Sequence, residues 1–222
     1  FRQHIIARGG ASERITVIRN GVDLALFKPA VCDEAFARKI GVAGKFVASY
    51  VGTHGMAHGL DTILEAADRL RDNPRIVFLL VGDGAERARI EAKARAMNLP
   101  NVVMLGQQPK AMMPAIWSVS DVSLVLLRKL DLFKTVIPSK IFESMAMKRP
   151  IILGVEGESR EIIEEGGAGV CIEPENAEEL AAALLRLEGE PQEYARMQES
   201  GYRFVCEQFD RTVSARRYLG VL

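Results

Sequence analysis

The feature that most limits how this chain can fold is an alternation of two patterns. Short apolar runs at 46–51, 76–81, 102–105, 122–127, 150–153 and 169–172 are separated by longer amphipathic stretches. The runs are too short and too β-branched for helices, and turn residues bound them. The stretches at 60–70, 86–97, 110–119, 139–147, 159–165 and 177–187 read as helices. In the first of these, Leu60, Ile63, Leu64, Ala67 and Leu70 form one apolar stripe. Strand-helix alternation of this kind predicts an α/β chain with a doubly wound parallel sheet of about six strands. The run 76–81 is apolar throughout, as expected of a strand covered on both faces. A weaker run, 15–18, predicts one more strand near the start, and 191–218 predicts further helix.

Such sheets bind ligands beyond the carboxyl ends of their strands. That rule directs attention to the turns at 52–59, 82–85, 106–109, 128–138 and 154–159. Composition removes other classes. Lys plus Arg and Asp plus Glu are both 29, so there is no basic excess to attract nucleic acid. No apolar stretch approaches the length of a membrane span. Cys32, Cys171 and Cys206 are isolated and lack metal-ligand spacing. They are expected to be buried free thiols suited to a reducing cytoplasm. A chain opening Phe1-Arg2-Gln3-His4, without an initiator Met or a signal pattern, is expected to be a fragment or a processed product.

Three turns carry polar groups that fit an anionic ligand. The first is Gly52-Thr53-His54-Gly55-Met56-Ala57-His58-Gly59, between a strand and a helix. Glycines let backbone amides approach a ligand closely, and a helix start favours an anion. His54 and His58 are candidate phosphate donors; their spacing also suits metal ligands, but no Glu follows His54 as the zinc-protease motif requires. The loop matches neither Walker A nor Gly-x-Gly-x-x-Gly, and a tight turn without a ligand explains the glycines equally well. The second turn is Gly82-Asp83-Gly84, where Asp83 is expected to cap the following helix. The third runs from Leu130 to Ala146. Pro138 ends a loop, Ser139 is a natural N-cap, and Lys140 adds a positive charge at the helix start. Glu143 lies one turn further. Its two oxygens can accept both hydroxyls of a ribose diol, although a solvated helix face is the commoner place for a Glu.

Several motifs together resemble a known family. Asn20-Gly21-Val22-Asp23 with Phe27-Lys28-Pro29, Tyr50-Val51-Gly52 with His58-Gly59, and Val81-Gly82-Asp83-Gly84 stand in a characteristic order. Val103-Met104-Leu105-Gly106, residues 138–146 and Arg149-Pro150-Ile151-Ile152 continue it. This order resembles the C-terminal, donor-binding domain of a GT-B glycosyltransferase of the large retaining family 4. The resemblance implies a Rossmann-like domain over 31–190 and a lead-in segment over 1–30. It also implies C-terminal helices over 191–222 that cross back to an acceptor-binding N-terminal domain outside these residues. The expected ligand is a nucleotide diphosphate sugar, with a UDP-sugar favoured, and neither metal nor other cofactor is expected.

Carried over position by position, the resemblance places Gly52, Thr53, His54, Gly55, His58, Pro138, Ser139 and Lys140 around the diphosphate. Glu143 falls at the ribose, Gly106 and Gln107 toward the base, Thr135 at the transferred sugar, and Gly82 among the nucleotide-sugar-binding positions. Two departures stand out. The first Glu of the Glu-x7-Glu pattern is Thr135, and the usual Arg and Lys of the first loop are Thr53 and His58. Lys134 and Arg128 are further candidates for the missing charge. Among subgroups the chain looks closest to bacterial transferases of amino and deoxyamino sugars that build lipopolysaccharide and other surface polysaccharides. Such enzymes work in the cytoplasm, in some cases against the inner membrane face. The fragment alone is expected to bind donor and transfer little sugar, with no residue identified as catalytic base. A nucleotide-sugar 2-epimerase and a non-catalytic nucleotide-sugar module are the alternatives.

Overall fold

The computed structural model describes residues 2–221. Six parallel strands form one sheet: β1 (Phe46–Val51), β2 (Ile76–Val81), β3 (Val102–Leu105), β4 (Val122–Leu126), β5 (Ile151–Gly154) and β6 (Gly169–Cys171). Their spatial order is β3-β2-β1-β4-β5-β6. The strand order reverses between β1 and β4, so the loops leaving these neighbours diverge and open a crevice at their carboxyl ends. Register is fixed by Ala48 opposite Val122 on this inner pair and by Phe46 opposite Ile76 through Val51 opposite Val81 on the other side.

Helices cover both faces. The chain-order set is α1 (Arg2–Ala7), α2 (Glu34–Lys39), α3 (Asp61–Arg69), α4 (Arg87–Ala96) and α5 (Met113–Ser118). It continues with α6 (Lys140–Ala146), α7 (Glu158–Gly166), α8 (Ala177–Gly189), α9 (Pro191–Gln208) and α10 (Arg211–Leu219). Alternate strand residues divide the core in two. Val47, Val51, Leu79 and Val125 pack with Trp117, Phe142 and Ile163. Ala48, Tyr50, Phe78 and Leu124 pack with Ile63, Leu64, Ile90 and Leu184. Every residue of β2 is buried, as its unbroken apolar run requires.

Buried hydroxyls place α6. Ser144 Oγ lies 2.7 Å from Ser123 Oγ on β4 and 2.7 Å from the Lys140 carbonyl, which locks the first turn of α6 against the sheet. The two ends of the chain also meet. The Val22 N–H donates to the Phe209 carbonyl at 2.9 Å and the Arg211 N–H donates to Val22 at 3.0 Å, a single parallel bridge between Val22 and Asp210.

The observed elements match the predicted ones within one or two residues at most ends. The segment 15–18 does not: it forms no strand, and Val17 is exposed. β-Branched residues alone do not make a strand without a neighbour to complete the hydrogen bonds. The thiols also differ from expectation, since Cys32 is exposed and Cys171 and Cys206 are half-buried. Among the described residues no helix is long and apolar enough to cross a membrane.

Phe78 is fully buried in the middle of the central strands. Phe78→Ala should lower unfolding free energy by about 3–5 kcal/mol, because a cavity adds to the lost transfer energy. Urea denaturation should show a lower midpoint at unchanged slope; a shift under 1 kcal/mol would contradict the packing described.

Candidate functional site

Three glycines let the first two loops interlock. Gly52 and Gly82 both have strongly positive φ, 147° and 142°. A Cβ on Gly82 would run into the Gly52 carbonyl, and one on Gly84 would lie 2.5 Å from the His54 carbonyl oxygen. Only glycine permits this crossing. Backbone bonds complete it: His54 N–H donates to the Asp83 carbonyl at 2.8 Å and Glu86 N–H to His54 at 2.9 Å. Asp83 therefore serves the turn. Its Oδ1 accepts the Gly84 N–H at 2.8 Å, and α4 has no side-chain cap, contrary to the expectation that Asp83 would cap it.

The loop after β4 comes to the same place. Arg128 N–H donates to the Ala57 carbonyl at 2.9 Å, which joins the two loops on either side of the crevice. Lys140, at the start of α6, reaches over the carboxyl edge of the sheet. Its Nζ lies 3.8 Å from the centre of the Tyr50 ring, and a Cβ on Gly52 would be only 3.1 Å from it. Lys140 as a whole is half-buried, but its Nζ meets no solvent and has no hydrogen-bond partner. Burial lowers its pKa to about 7, against a small opposing pull from Glu143. His54 is fully buried, and neither ring nitrogen has a partner. Burial, then Arg87, holds its pKa below the ordinary value. His58 is half-buried with an unpartnered Nδ1, and burial followed by Lys140 lowers it too.

Next to this cluster is a cleft of about 270 Å3 lined by Val51, Gly52, Thr53, Val81, Gly82, Asp83, Gln107, Gln108 and Met113. It sits at the carboxyl ends of β1 and β2. Gly106 borders the Arg87 guanidinium: a Cβ there would be 3.1 Å from Nη1. Glu143 does not line the cleft. It is half-buried one turn along α6 from Lys140, and burial raises its pKa against the pull of Lys110, Lys140 and Arg211. The Trp117 indole also lowers it, although its Nε1 closes no hydrogen bond.

The structure therefore brings together Gly52, Thr53, His54, Gly55, His58, Gly82, Gln107 and Lys140. Other expectations change. Ser139 occupies the N-cap position but its side chain makes no capping bond, because helical backbone at Ser139 turns the hydroxyl away from the free amides. Thr135 is exposed in the short turn Asp131–Thr135, and its hydroxyl reaches only the Leu132 carbonyl at 3.5 Å. Lys134 is paired with Asp131 at 2.8 Å and Arg128 with Glu175 at 3.4 Å, so neither charge is free for the crevice. Sequence reasoning missed Tyr50. A tyrosine inside an apolar strand, two residues before a glycine turn, must find a partner for its hydroxyl. Here it donates to the Thr53 carbonyl at 2.7 Å.

A family model described as glycosyl transferases group 1 matches residues 33–204. The chain belongs to this family. Among its relatives is WcaI of Escherichia coli (strain K12), named as a colanic acid biosynthesis glycosyl transferase. It is 32% identical over 186 residues, which are 81% of this chain and 45% of that protein. The chain thus spans about half the length of the curated relatives it matches. Among solved structures, Anabaena Alr3699/HepE, determined with UDP-glucose, superposes with a TM-score of 0.84 at 22% identity. The match covers 100% of this chain and 61% of that one. The C-terminal domain of a group 1 glycosyl transferase, LpcC, from Francisella tularensis gives 0.72 at 22% identity. It covers 86% of this chain and 99% of that one. These structures establish that the group 1 glycosyl transferase chain has the GT-B type of α/β fold.

The dry amine of Lys140 makes a stability prediction. Its folded pKa of about 7 lies below that of an unfolded lysine. Between these values the unfolded chain holds the extra proton, so Lys140 costs stability as pH falls toward 7, and the cost is complete below it. Lys140→Met should melt above the parent at pH 6, with the difference shrinking as pH rises to 9. A constant difference across that range would refute the buried amine.

Proposed function

We propose that this chain is the donor-binding half of a glycosyltransferase that takes its sugar from a nucleotide diphosphate sugar. The observation that carries this reading is the meeting of the Gly52 turn and the Lys140 amine at the sheet reversal. A basic amine and close-approaching backbone sit beside a cleft that would take a base. Gly52, Thr53 and Gly55 would bring backbone to the diphosphate, with Lys140 as the charge partner and His54 and His58 behind it. Gly82, Gly106 and Gln107 would meet the base. Pro138 and Ser139 would set the start of α6, and Glu143 would receive the ribose hydroxyls. Thr135 would face the transferred sugar only if its turn moved inward.

The reaction in this reading moves a glycosyl group to a hydroxyl of a glycan or lipid-linked acceptor, with retention at the anomeric carbon. UDP with an N-acetyl amino sugar is the donor class. Charge builds on the departing diphosphate, and donors already aimed at it lower the barrier; one such donor is worth about 3 kcal/mol. Residues 1–30 and 191–222, clasped at Val22 and Asp210, are read as the segments that meet an acceptor-binding N-terminal domain. The UDP-glucose bound by HepE supports a UDP-sugar donor, and the colanic acid role in the name of WcaI supports a place in surface polysaccharide synthesis. A cytoplasmic location, with contact at the inner membrane face, belongs to the same proposal.

Calorimetric titration with UDP, GDP, ADP and their sugar conjugates tests the reading. UDP compounds should bind, and Glu143→Ala should weaken them by about 1–3 kcal/mol through lost hydrogen bonds to a charged acceptor. Equal affinity in a folded Glu143→Ala chain would remove Glu143 from the site, and no binding by the parent would overturn the proposal.

A further inference from the structure

Seven buried side-chain nitrogens and oxygens among the described residues lack a hydrogen-bond partner, and four of them lie on His54, His58 and Lys140. Such groups are costly to bury, so their concentration in one place needs a cause. All three side chains surround one ring. Lys140 Nζ stands over Tyr50, and the imidazoles of His54 and His58 have centroids 5.8 and 5.9 Å from the Tyr50 centroid. The ring is fully buried, while its hydroxyl holds the Thr53 carbonyl at 2.7 Å.

We propose that Tyr50 is a positioning residue of the diphosphate site: its ring stores Lys140 as a dry amine, and its hydroxyl turns the Thr53 carbonyl inward. This rests on the reading of the crevice as a diphosphate site. The face of an aromatic ring attracts an ammonium, yet no carboxylate or carbonyl completes its solvation here. The groups that face Lys140 are Tyr50 on β1, His54 and His58 on the first loop, and Glu143 on its own helix. Only Glu143 is acidic, and it lies a turn away. Lys140 therefore loses its proton easily in the empty site and regains one when a diphosphate supplies the missing negative charge. The proton comes from solution and ends on Nζ; no other bond changes. Pinning the Thr53 carbonyl inward keeps that oxygen out of the anion's path.

The signature is proton uptake on binding. The full chain is titrated with UDP at pH 8, where the nucleotide is fully ionised, in two buffers of different ionisation enthalpy. The parent should take up close to one proton per UDP, and affinity should fall about tenfold per pH unit between pH 7.5 and 9. Tyr50→Phe keeps the ring, so uptake should persist while affinity drops severalfold. Tyr50→Leu lets water reach Nζ, which stays protonated, so uptake should vanish. Lys140→Met should abolish uptake as well; uptake that survives this change would place the proton on a histidine and overturn the assignment. UDP binding by the parent without uptake would overturn it too, leaving the diphosphate reading intact. No binding by the parent would overturn both. If Tyr50→Leu fails to fold, the ligand-free parent decides: Lys140 should titrate near 7 by NMR of its ε-methylene, and titration at about 10.4, the ordinary lysine value, would overturn the assignment.

Discussion

The crossing of the Gly52 and Gly82 turns is the constraint on which the site depends. Parallel strands end side by side, and their outgoing loops compete for the space above the sheet. Here the backbone of one loop passes so close to the other that a single methyl group would separate them. The closeness has two effects. It brings Gly52, whose missing side chain leaves room for the Lys140 amine, beside Gly82, and both line the cleft with Gln107. The sheet order supplies the rest, since the reversal between β1 and β4 brings the loop of Ala57 against the loop of Arg128.

Charge is arranged with the same economy. Most cations near the crevice are spoken for: Arg89 and Lys93 hold Asp61, Arg128 holds Glu175, and Lys134 holds Asp131. These pairs are largely exposed, and such pairs contribute little to stability. Lys140, by contrast, has no opposing carboxylate in contact. In a chain of zero formal net charge, the field at the crevice comes from local pairing and not from overall composition.

Much of this was legible in the sequence. The apolar run of β2 announced a covered strand, and the 3.6-residue stripe from Leu60 announced α3, because burial imposes those periods directly. The glycines at 52, 82 and 84 marked the loops that approach each other. What could not be read was pairing across the chain. Nothing local to Val17 says that no strand will lie beside it, and nothing near Lys134 says that Glu156 will join the neighbouring Asp131 in holding it. Lys140 reads as an ordinary helix-start cation until Tyr50, ninety residues earlier, is known to lie under it. Resemblance to a motif puts Thr135 at the transferred sugar, yet its place is set by its own short turn and by the Ser159 hydroxyl, which holds the Val136 carbonyl at 2.6 Å.

The bridge between Val22 and Asp210 has a mechanical consequence. Tension on either end of the molecule would load the hydrogen bonds from Val22 to Phe209 and from Arg211 to Val22 before any strand felt it. A body hung from one end would thus be leashed near the other as well.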